Sequence, residues 1–358
     1  MLTTESLRDY ALNVVQVDKI GVANIERFDA APPDMDPRNI MPKAKSVIVF
    51  LKRIIRGTCR GVDEGTHWSS YHIYSYAGLS AMLGTAKDKL LRFIEQQGYD
   101  AAPLSAIGTS REFGPTAPPA APGLPPREVV VQHRIAGTLA GLGEIGWSKL
   151  FLTKEFGPRQ RLAIILTDAE LEPDPIETGV LCDRCKRCVV ECPGGAIDRD
   201  RSVSIDVEGH HIEWNDLDLG KCKLTHFGLN KLSGPFFAKR FPGVRMAVGE
   251  QEVTWLEAWD LGWAMFPTMP ALSALSASPV AACGARGCII GCMKHLEAEG
   301  AIENTFNTRP VFSGGRPWRL SEEPGHRFEE HKGFTWNPDA PEPEEPDHEK
   351  PRSDEGWY

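Results

Sequence analysis

Residues 182–193 read Cys-Asp-Arg-Cys-Lys-Arg-Cys-Val-Val-Glu-Cys-Pro. This run matches the spacing C-x₂-C-x₂-C-x₃-C-P, in which three thiolates bind one [4Fe–4S] cluster and the fourth binds a different cluster in two-cluster proteins. Such a spacing demands a second set of ligands. The chain supplies four more cysteines downstream, which are Cys222, Cys283, Cys288 and Cys292. The sequence therefore predicts two [4Fe–4S] clusters held by eight of the nine cysteines.

The cross-over rule assigns each cysteine to one of the two predicted clusters. The first cluster takes Cys182, Cys185, Cys188 and Cys292, and the second takes Cys192, Cys222, Cys283 and Cys288. A zinc site needs only four ligands, and disulfides are rare in reducing compartments, so both explain the pattern less well. Four residues separate Cys283 from Cys288, and Met293 stands where proline is expected, which leaves an altered or labile cluster as an alternative. Cys59 has no partner spacing and is predicted to be a buried small hydrophobe.

Three basic residues lie between the ligands of the predicted first cluster: Arg184, Lys186 and Arg187. They are explained equally well as cations that stabilise the cluster's negative charge, as solvated side chains, or as a docking face for an acidic electron donor.

Composition restricts the remaining functions. The chain has 358 residues and a formal net charge of −9, so no general attraction to nucleic acid is expected. It lacks a run of about 18 apolar residues, and its first residues resemble no export signal, so we predict a cytoplasmic protein without a membrane span.

Hydrophobic patterns predict an α+β chain in three parts. Residues 44–51 and 161–168 read as buried strands, and residues 72–97 have helical periodicity that ends at Gly98. Alternating strands and helices predict an α/β domain over 1–175. The cysteines predict a ferredoxin-like module over 176–312, in which the tryptophans between Cys222 and Cys283 cover the clusters and the core. Residues 313–358 read as an acidic, proline-rich tail.

Several stretches resemble the cobalamin-dependent reductive dehalogenases and their relative, epoxyqueuosine reductase. Besides the cysteine motifs, the resembling stretches are residues 42–49, 140–146, 155–162 and 167–168. The resemblance covers roughly residues 35–300. The motifs, taken together and in this order, are specific for this family, although each motif alone is weak evidence for it.

The resemblance implies a nitroreductase-like α/β domain that holds base-off cobalamin, followed by a ferredoxin-like module with one cluster near the corrin. A pair of buried clusters suits this cofactor, because Co(I) needs a strongly reducing one-electron source. The residues implied in cofactor binding are Gly141, Leu142, Gly143, Glu144, Arg159 and Arg161. The glycines have an alternative interpretation as a tight helix-to-strand turn.

The chain departs from both branches of the family. Trp147 stands where dehalogenases usually carry a basic residue, and the twin-arginine signal of exported dehalogenases is missing. The epoxyqueuosine branch usually has Asp-Ser-Ala-Pro upstream of the glycine turn, where residues 126–129 here read Pro-Arg-Glu-Val. These differences and the acidic balance favour a small-molecule substrate over tRNA.

Four residues are candidate proton donors. Glu128 matches the position of the acid in the epoxyqueuosine branch, and His133 lies about one helical turn further on; the alternatives are a solvated helix-start acid and a structural histidine. Tyr71 and Tyr74 belong to an aromatic group at a helix start, for which packing is the usual explanation.

These features predict a cobalamin- and iron–sulfur-dependent reductase that removes a halide or oxygen substituent from a small organic molecule. It would take electrons from a ferredoxin, a flavodoxin or a reductase. The alternatives are an epoxyqueuosine reductase-like tRNA-modifying enzyme, an electron-transfer protein without its own catalytic centre, and a family member with another cofactor.

Overall fold

A four-stranded antiparallel sheet organises the N-terminal half of the computed structural model, which describes residues 2–63, 70–104, 119, 121–123, 129–229, 252–265, 283 and 287–303. Its strands are β1 (Lys19–Asn24), β2 (Ser46–Arg53), β3 (Ala101–Pro103) and β6 (Gln160–Thr167), in the order β1-β2-β6-β3. The α/β domain expected from alternating elements is thus a mixed α+β arrangement. The reason is that the chain enters β6 at Gln160, opposite Arg53, where β2 ends.

The described helices and the smaller strands surround this sheet. The helices are α1 (Thr4–Asp9), α2 (Arg56–Asp63), α3 (Leu79–Gln96), α4 (His133–Leu139), α5 (Arg187–Val190), α6 (Leu219–His226), α7 (Trp255–Met265) and α8 (Cys288–Ala298). Short hairpins are formed by β4 (Glu144–Ile145) with β5 (Phe151–Leu152) and by β7 (Ser202–Val207) with β8 (His210–Asn215). Tyr10–Val14 and Tyr71–Gly78 are π-helical, while Ile25–Phe28 and Pro37–Asn39 are 3₁₀ turns.

The sheet is buried on both faces, because successive side chains of β2 and β6 point in opposite directions. Val47 and Val49 pack on one face with α4 and with Trp214 of β8. Ile48 and Phe50 pack on the other face with α1 and α3. Two apolar layers therefore hold the sheet, which explains why β2 and β6 read as continuous apolar runs.

The predicted elements agree with the structure within a few residues. The strand expected at 44–51 is β2, and the strand expected at 161–168 is β6. The helix expected at 72–97 is a π-helical segment followed directly by α3. Gly98 has φ +88°, which confirms it as the C-terminal stop of that helix.

The glycine turn after α4 packs against the protein's own backbone. Gly141 has φ +68°, and a Cβ atom there would meet the carbonyl oxygen of Pro175. A Cβ atom on Gly143 would meet the carbonyl oxygen of Leu152 in β5. The tight turn, which was the alternative interpretation of these glycines, therefore explains why both positions need glycine.

The β7–β8 hairpin joins the cysteine-rich part of the chain to the sheet. Glu208 and Gly209 both have positive φ, as a two-residue hairpin turn requires. Ile212 and Trp214 of β8 are buried in the same apolar layer as β2 and α4. All described residues lie within one compact unit, Met1–Arg316. None of the described helices combines the length and apolar character that a membrane crossing needs.

Candidate functional site

The cysteine loop at 182–192 contains the short helix α5. Cys188 is buried within that helix, while Cys185 is exposed. The backbone N–H of Trp147 donates to Sγ of Cys182 at 3.2 Å, and the N–H of Ala196 donates to Sγ of Cys192 at 3.4 Å. Such N–H···S bonds stabilise the thiolate form that metal binding requires.

The carboxylate of Glu144 holds the entry to this loop. Its two oxygens accept hydrogen bonds from the backbone N–H groups of Val180 at 2.8 Å, Leu181 at 3.0 Å and Cys182 at 2.6 Å. Glu144 itself is buried in β4. This acid, which the resemblance had implied in cofactor binding, therefore fixes the backbone that carries the first cysteine.

The first group of thiols combines the loop with α8. Burial, together with the neighbouring thiols of Cys182 and Cys185, raises the pKa of Cys188 to about 11. Burial raises the pKa of Cys292, as do the thiols of Cys182 and Cys188, and Cys292 lines one cavity together with the three loop cysteines. The structure thus brings Cys292 beside the three loop cysteines, although about a hundred residues lie between them in sequence.

The second group of thiols lies beside the first. Burial and the thiol of Cys192 raise the pKa of Cys222 to about 11. Burial, followed by the thiols of Cys222, Cys288 and Cys192, raises the pKa of Cys283. Cys288 also has Cys188 as a neighbour, so the two groups are adjacent. None of the nine cysteines forms a disulfide in the structure.

Close packing of α5 against α8 makes this arrangement possible. A Cβ atom on Gly291 of α8 would lie 3.2 Å from the carbonyl oxygen of Arg187, and Gly287 lies against Pro193. Met293, which replaces the expected proline, is completely buried, with its sulfur close to Gly157. Met293, which departs from the cysteine–proline motif, therefore makes a contact in the core. Eight thiols in two adjacent groups fit two iron–sulfur clusters, since each cluster needs four thiolates.

A polar cluster adjoins the second thiol group. Arg161 is the shared charged neighbour of Tyr71, His133 and His226, and its guanidinium carbon lies 4.3 Å from the ring centroid of Tyr76. Tyr71 also has Cys283 as an electrostatic neighbour. We call Tyr71, Tyr76, His133, Arg161 and His226 the Arg161 cluster.

Burial sets the protonation of this cluster. Removal from water raises the pKa of Tyr71 well above its usual 10, and the positive charge of Arg161 opposes that shift. Burial lowers the pKa of His133 to about 4 and the pKa of His226 well below 6.5. At neutral pH the tyrosine is therefore protonated, both histidines are neutral, and Arg161 carries the positive charge.

The remaining candidates have other positions. Tyr74 is 42% exposed. Arg159 is buried, and its Nη1 donates to the carbonyl oxygen of Ile54 at 3.1 Å. Glu128 lies outside the described residues, as does most of the proline-rich stretch 102–126. Cys59 is completely buried in an apolar cluster with Tyr71, which confirms its assignment as a small hydrophobe.

Aromatic side chains of α7 cover the helix that carries Cys222. Trp255 stacks on Trp259 with a centroid distance of 5.1 Å, and Trp259 contacts Phe227 at 5.8 Å. The ammonium of Lys223 lies 4.5 Å from the Trp259 ring centroid. This packing covers the helix that carries Cys222, and the expectation that these tryptophans cover the clusters and the core stays a prediction.

A corrin would find suitable donors in the Arg161 cluster. Nε2 of His133 is buried without a hydrogen-bond partner in the described part of the chain. The cations that act on His133 are Lys87, Arg134 and Arg161. The guanidinium of Arg161 also lies over the ring of Tyr76, whose centroid is 5.0 Å from that of His226. These groups fit a large ligand that carries amide and phosphate oxygens.

A mixed α+β chain with two adjacent thiol groups is typical of iron–sulfur oxidoreductases, and comparison with known proteins agrees. The tetrachloroethene reductive dehalogenase of Dehalobacter restrictus is 31% identical over 194 residues, which are 50% of this chain and 30% of that protein. The epoxyqueuosine reductase of Bacillus subtilis is 25% identical over 226 residues, which are 54% of this chain and 51% of that protein.

A solved reductive dehalogenase, described with a mechanism for B12-dependent dehalogenation, superposes with a TM-score of 0.40 at 19% identity, covering 73% of this chain and 34% of that one. No protein-family model matches the chain. The sequence matches place the chain in the superfamily that contains the reductive dehalogenases and epoxyqueuosine reductase. The matched segments span at most about half the length of these two relatives.

Proposed function

We propose that the chain is an oxidoreductase that uses two [4Fe–4S] clusters and cobalamin to remove a halide or oxygen substituent from a small organic substrate. The first cluster is bound by Cys182, Cys185, Cys188 and Cys292, and the second by Cys192, Cys222, Cys283 and Cys288. One observation carries this proposal: Tyr71, which is buried and protonated at neutral pH, packs in one apolar cluster with Cys288 of the second thiol group and has the half-buried Arg161 as a charged neighbour.

The side chains of the Arg161 cluster have separate tasks in this proposal. The Tyr71 hydroxyl holds its proton at neutral pH and donates it to the carbon from which the substituent leaves. The Arg161 guanidinium attracts the departing anion or an anionic substrate, because it is charged at every physiological pH. His133 and His226 remain neutral, so they add hydrogen bonds without competing for that anion.

The cofactors supply the electrons. Bound cobalamin would provide a low-potential cobalt centre for reductive cleavage of a carbon–heteroatom bond. Arg161, Tyr76, His133 and His226 are the described residues that would hold it. In this proposal Glu144, at the end of the tight turn Gly141–Glu144, holds the cysteine loop, and the contact of this turn with the corrin stays a prediction.

The match to epoxyqueuosine reductase supports a second candidate, a reductase that acts on a modified tRNA. The formal net charge of −9 argues against this candidate, since binding to a phosphate backbone depends on cationic side chains.

Anaerobic reconstitution tests the proposal. The protein is loaded with iron, sulfide and cobalamin, and its absorption and EPR spectra are recorded with iron and cobalt contents. We expect about eight irons for two clusters and one corrin per chain, followed by turnover of a brominated phenol or an epoxide. Loading of both clusters without retention of a corrin would contradict the central claim, and turnover of only an epoxyqueuosine-containing tRNA stem-loop would favour the second candidate.

Tyr71→Phe tests the proton donor. This variant keeps the buried ring and removes the hydroxyl, so we expect kcat to fall by about 100-fold with unchanged iron and corrin contents. Tyr74→Phe is the matched control, because Tyr74 is 42% exposed. We expect the turnover of this variant to equal that of the wild type. Equal turnover in the two variants would remove Tyr71 from the mechanism.

A further inference from the structure

The loop around Cys185 forms an exposed face over the first thiol group. Cys185 is the exposed thiol of that group, and the side chains of Arg184 and Arg187 beside it are also exposed. Val190, one turn of α5 further on, is 76% exposed. We call residues 184–187 together with Val190 the Cys185 face.

The cations of the Cys185 face are only partly neutralised. Arg184 bonds to Glu213 at 2.5 Å, and the nearby carboxylate of Asp183 bonds to Nε2 of His295 at 2.7 Å. Within the described residues, no carboxylate lies at ion-pair distance from Lys186 or Arg187. Asp200 acts on Lys186 electrostatically without forming an ion pair, so among the described residues Lys186 and Arg187 are the cations of this face that lack an ion pair, in a chain whose net charge is −9.

Lys186 is held in position beside the first thiol group. Its ammonium lies 2.7 Å from the centroid of the Trp147 ring, and the backbone N–H of Trp147 donates to Sγ of Cys182. Lys186 and Arg184 both adopt left-handed backbone conformations, with φ of +59° and +61°. Such conformations are unfavourable for residues with a side chain, and here they occur at two basic residues that flank an exposed thiol.

We propose that the Cys185 face is the docking site for an acidic protein that carries single electrons, of the flavodoxin or ferredoxin type. Complementary charge speeds the encounter of two proteins, and a weak, short-lived contact needs only a small interface, to which Val190 adds exposed apolar area. In the docked complex the carrier is oxidised by one electron and the first cluster is reduced by one electron. No proton or group is transferred.

The proposal rests on the iron–sulfur part of the proposed function and is independent of the corrin and the substrate. Reduction of the first cluster is therefore the quantity to measure, because it requires neither. The absorption spectrum and iron content before mixing show whether the clusters are present, so a failure of the proposed cofactors is recognised separately.

Stopped-flow mixing with a fully reduced flavodoxin tests the docking site. We expect the second-order rate constant for cluster reduction to fall at least about tenfold in the double variant Lys186→Glu, Arg187→Glu at low ionic strength, and the difference to shrink as salt is added. Dithionite, a small reductant, is expected to reduce the clusters of the variant and the wild type at equal rates.

Two further variants serve as controls. Lys43→Glu makes the same type of charge reversal at a lysine that is 73% exposed and pairs with Asp100, and its rate is expected to change less than twofold. Arg187→Gln removes one charge without adding another, so it should keep the loop intact. It therefore still tests the proposal if the double variant loses iron, and we expect its rate to lie between those of the double variant and the wild type. A wild-type rate that is independent of salt, or equal rates for Arg187→Gln and the wild type, would overturn the proposal.

Discussion

Glu144 shows at the scale of one residue how a buried acid organises a metal-binding loop. Its carboxylate accepts three backbone N–H groups in a row, the last of which belongs to Cys182. A carboxylate has enough lone pairs for three donors, whereas an amide oxygen has only two. These three hydrogen bonds fix the backbone position of Cys182, the first cysteine of the loop.

Replacement of Glu144 should therefore weaken the loop. In Glu144→Ala the three N–H groups lose their acceptor, and we expect the free energy of unfolding to fall by about 3 kcal/mol, with faster loss of iron to a chelator. Glu144→Gln keeps one acceptor oxygen and should lie between this variant and the wild type. Anaerobic urea unfolding with iron analysis measures both effects, and identical curves for the alanine variant and the wild type would show that the three bonds contribute nothing.

At the scale of the elements, the close contact between α8 and the turn before β6 matters most. Gly157 has φ +58°, and a Cβ atom there would lie 3.0 Å from the sulfur of Met293 and 3.3 Å from Leu296. Both of these side chains belong to α8, the helix that also carries Cys288 and Cys292. The position of this helix relative to the sheet therefore depends on a glycine outside it.

Two alanine substitutions separate the contact from the backbone conformation. Gly300 has φ +63° and open space around it, so Gly300→Ala should cost only the strain of the left-handed conformation, about 1 kcal/mol. Gly157→Ala adds the collision with Met293, and we expect a further loss of about 1–3 kcal/mol. Urea unfolding of the two variants measures the difference, and equal stabilities would mean that Met293 moves aside freely.

At the scale of the whole molecule, the pairing of distant cysteines predicts which cluster each substitution damages. Cys192→Ser should lose the second cluster and keep the first, and Cys292→Ser should do the reverse, each with about four irons left per chain. EPR of the reduced variants distinguishes the surviving signals. If Cys192→Ser instead removed the signal that Cys185→Ser removes, the cross-over assignment would be wrong.

Only part of this structure was predictable from the sequence. The strands β2 and β6 and the helix α3 were predictable, because a core that covers both sheet faces leaves continuous apolar runs and helical periodicity. The hairpin β7–β8 was missed, since most of β7 is exposed and only Glu208-Gly209 marks its turn. The role of Glu144 was also missed. Its hydrogen-bond donors lie more than thirty residues away in sequence, and a local sequence pattern does not reveal such long-range contacts.

The same hairpin has a consequence for synthesis on the ribosome. Trp214 of β8 covers the sheet face formed by Val47 and Val49, yet it is translated well after β6 completes the sheet. The part of this face that Trp214 covers therefore stays uncovered until the hairpin has been translated. Cys222, Cys283, Cys288 and Cys292 are translated later still, so neither of the proposed clusters can be completed before the hairpin has been made.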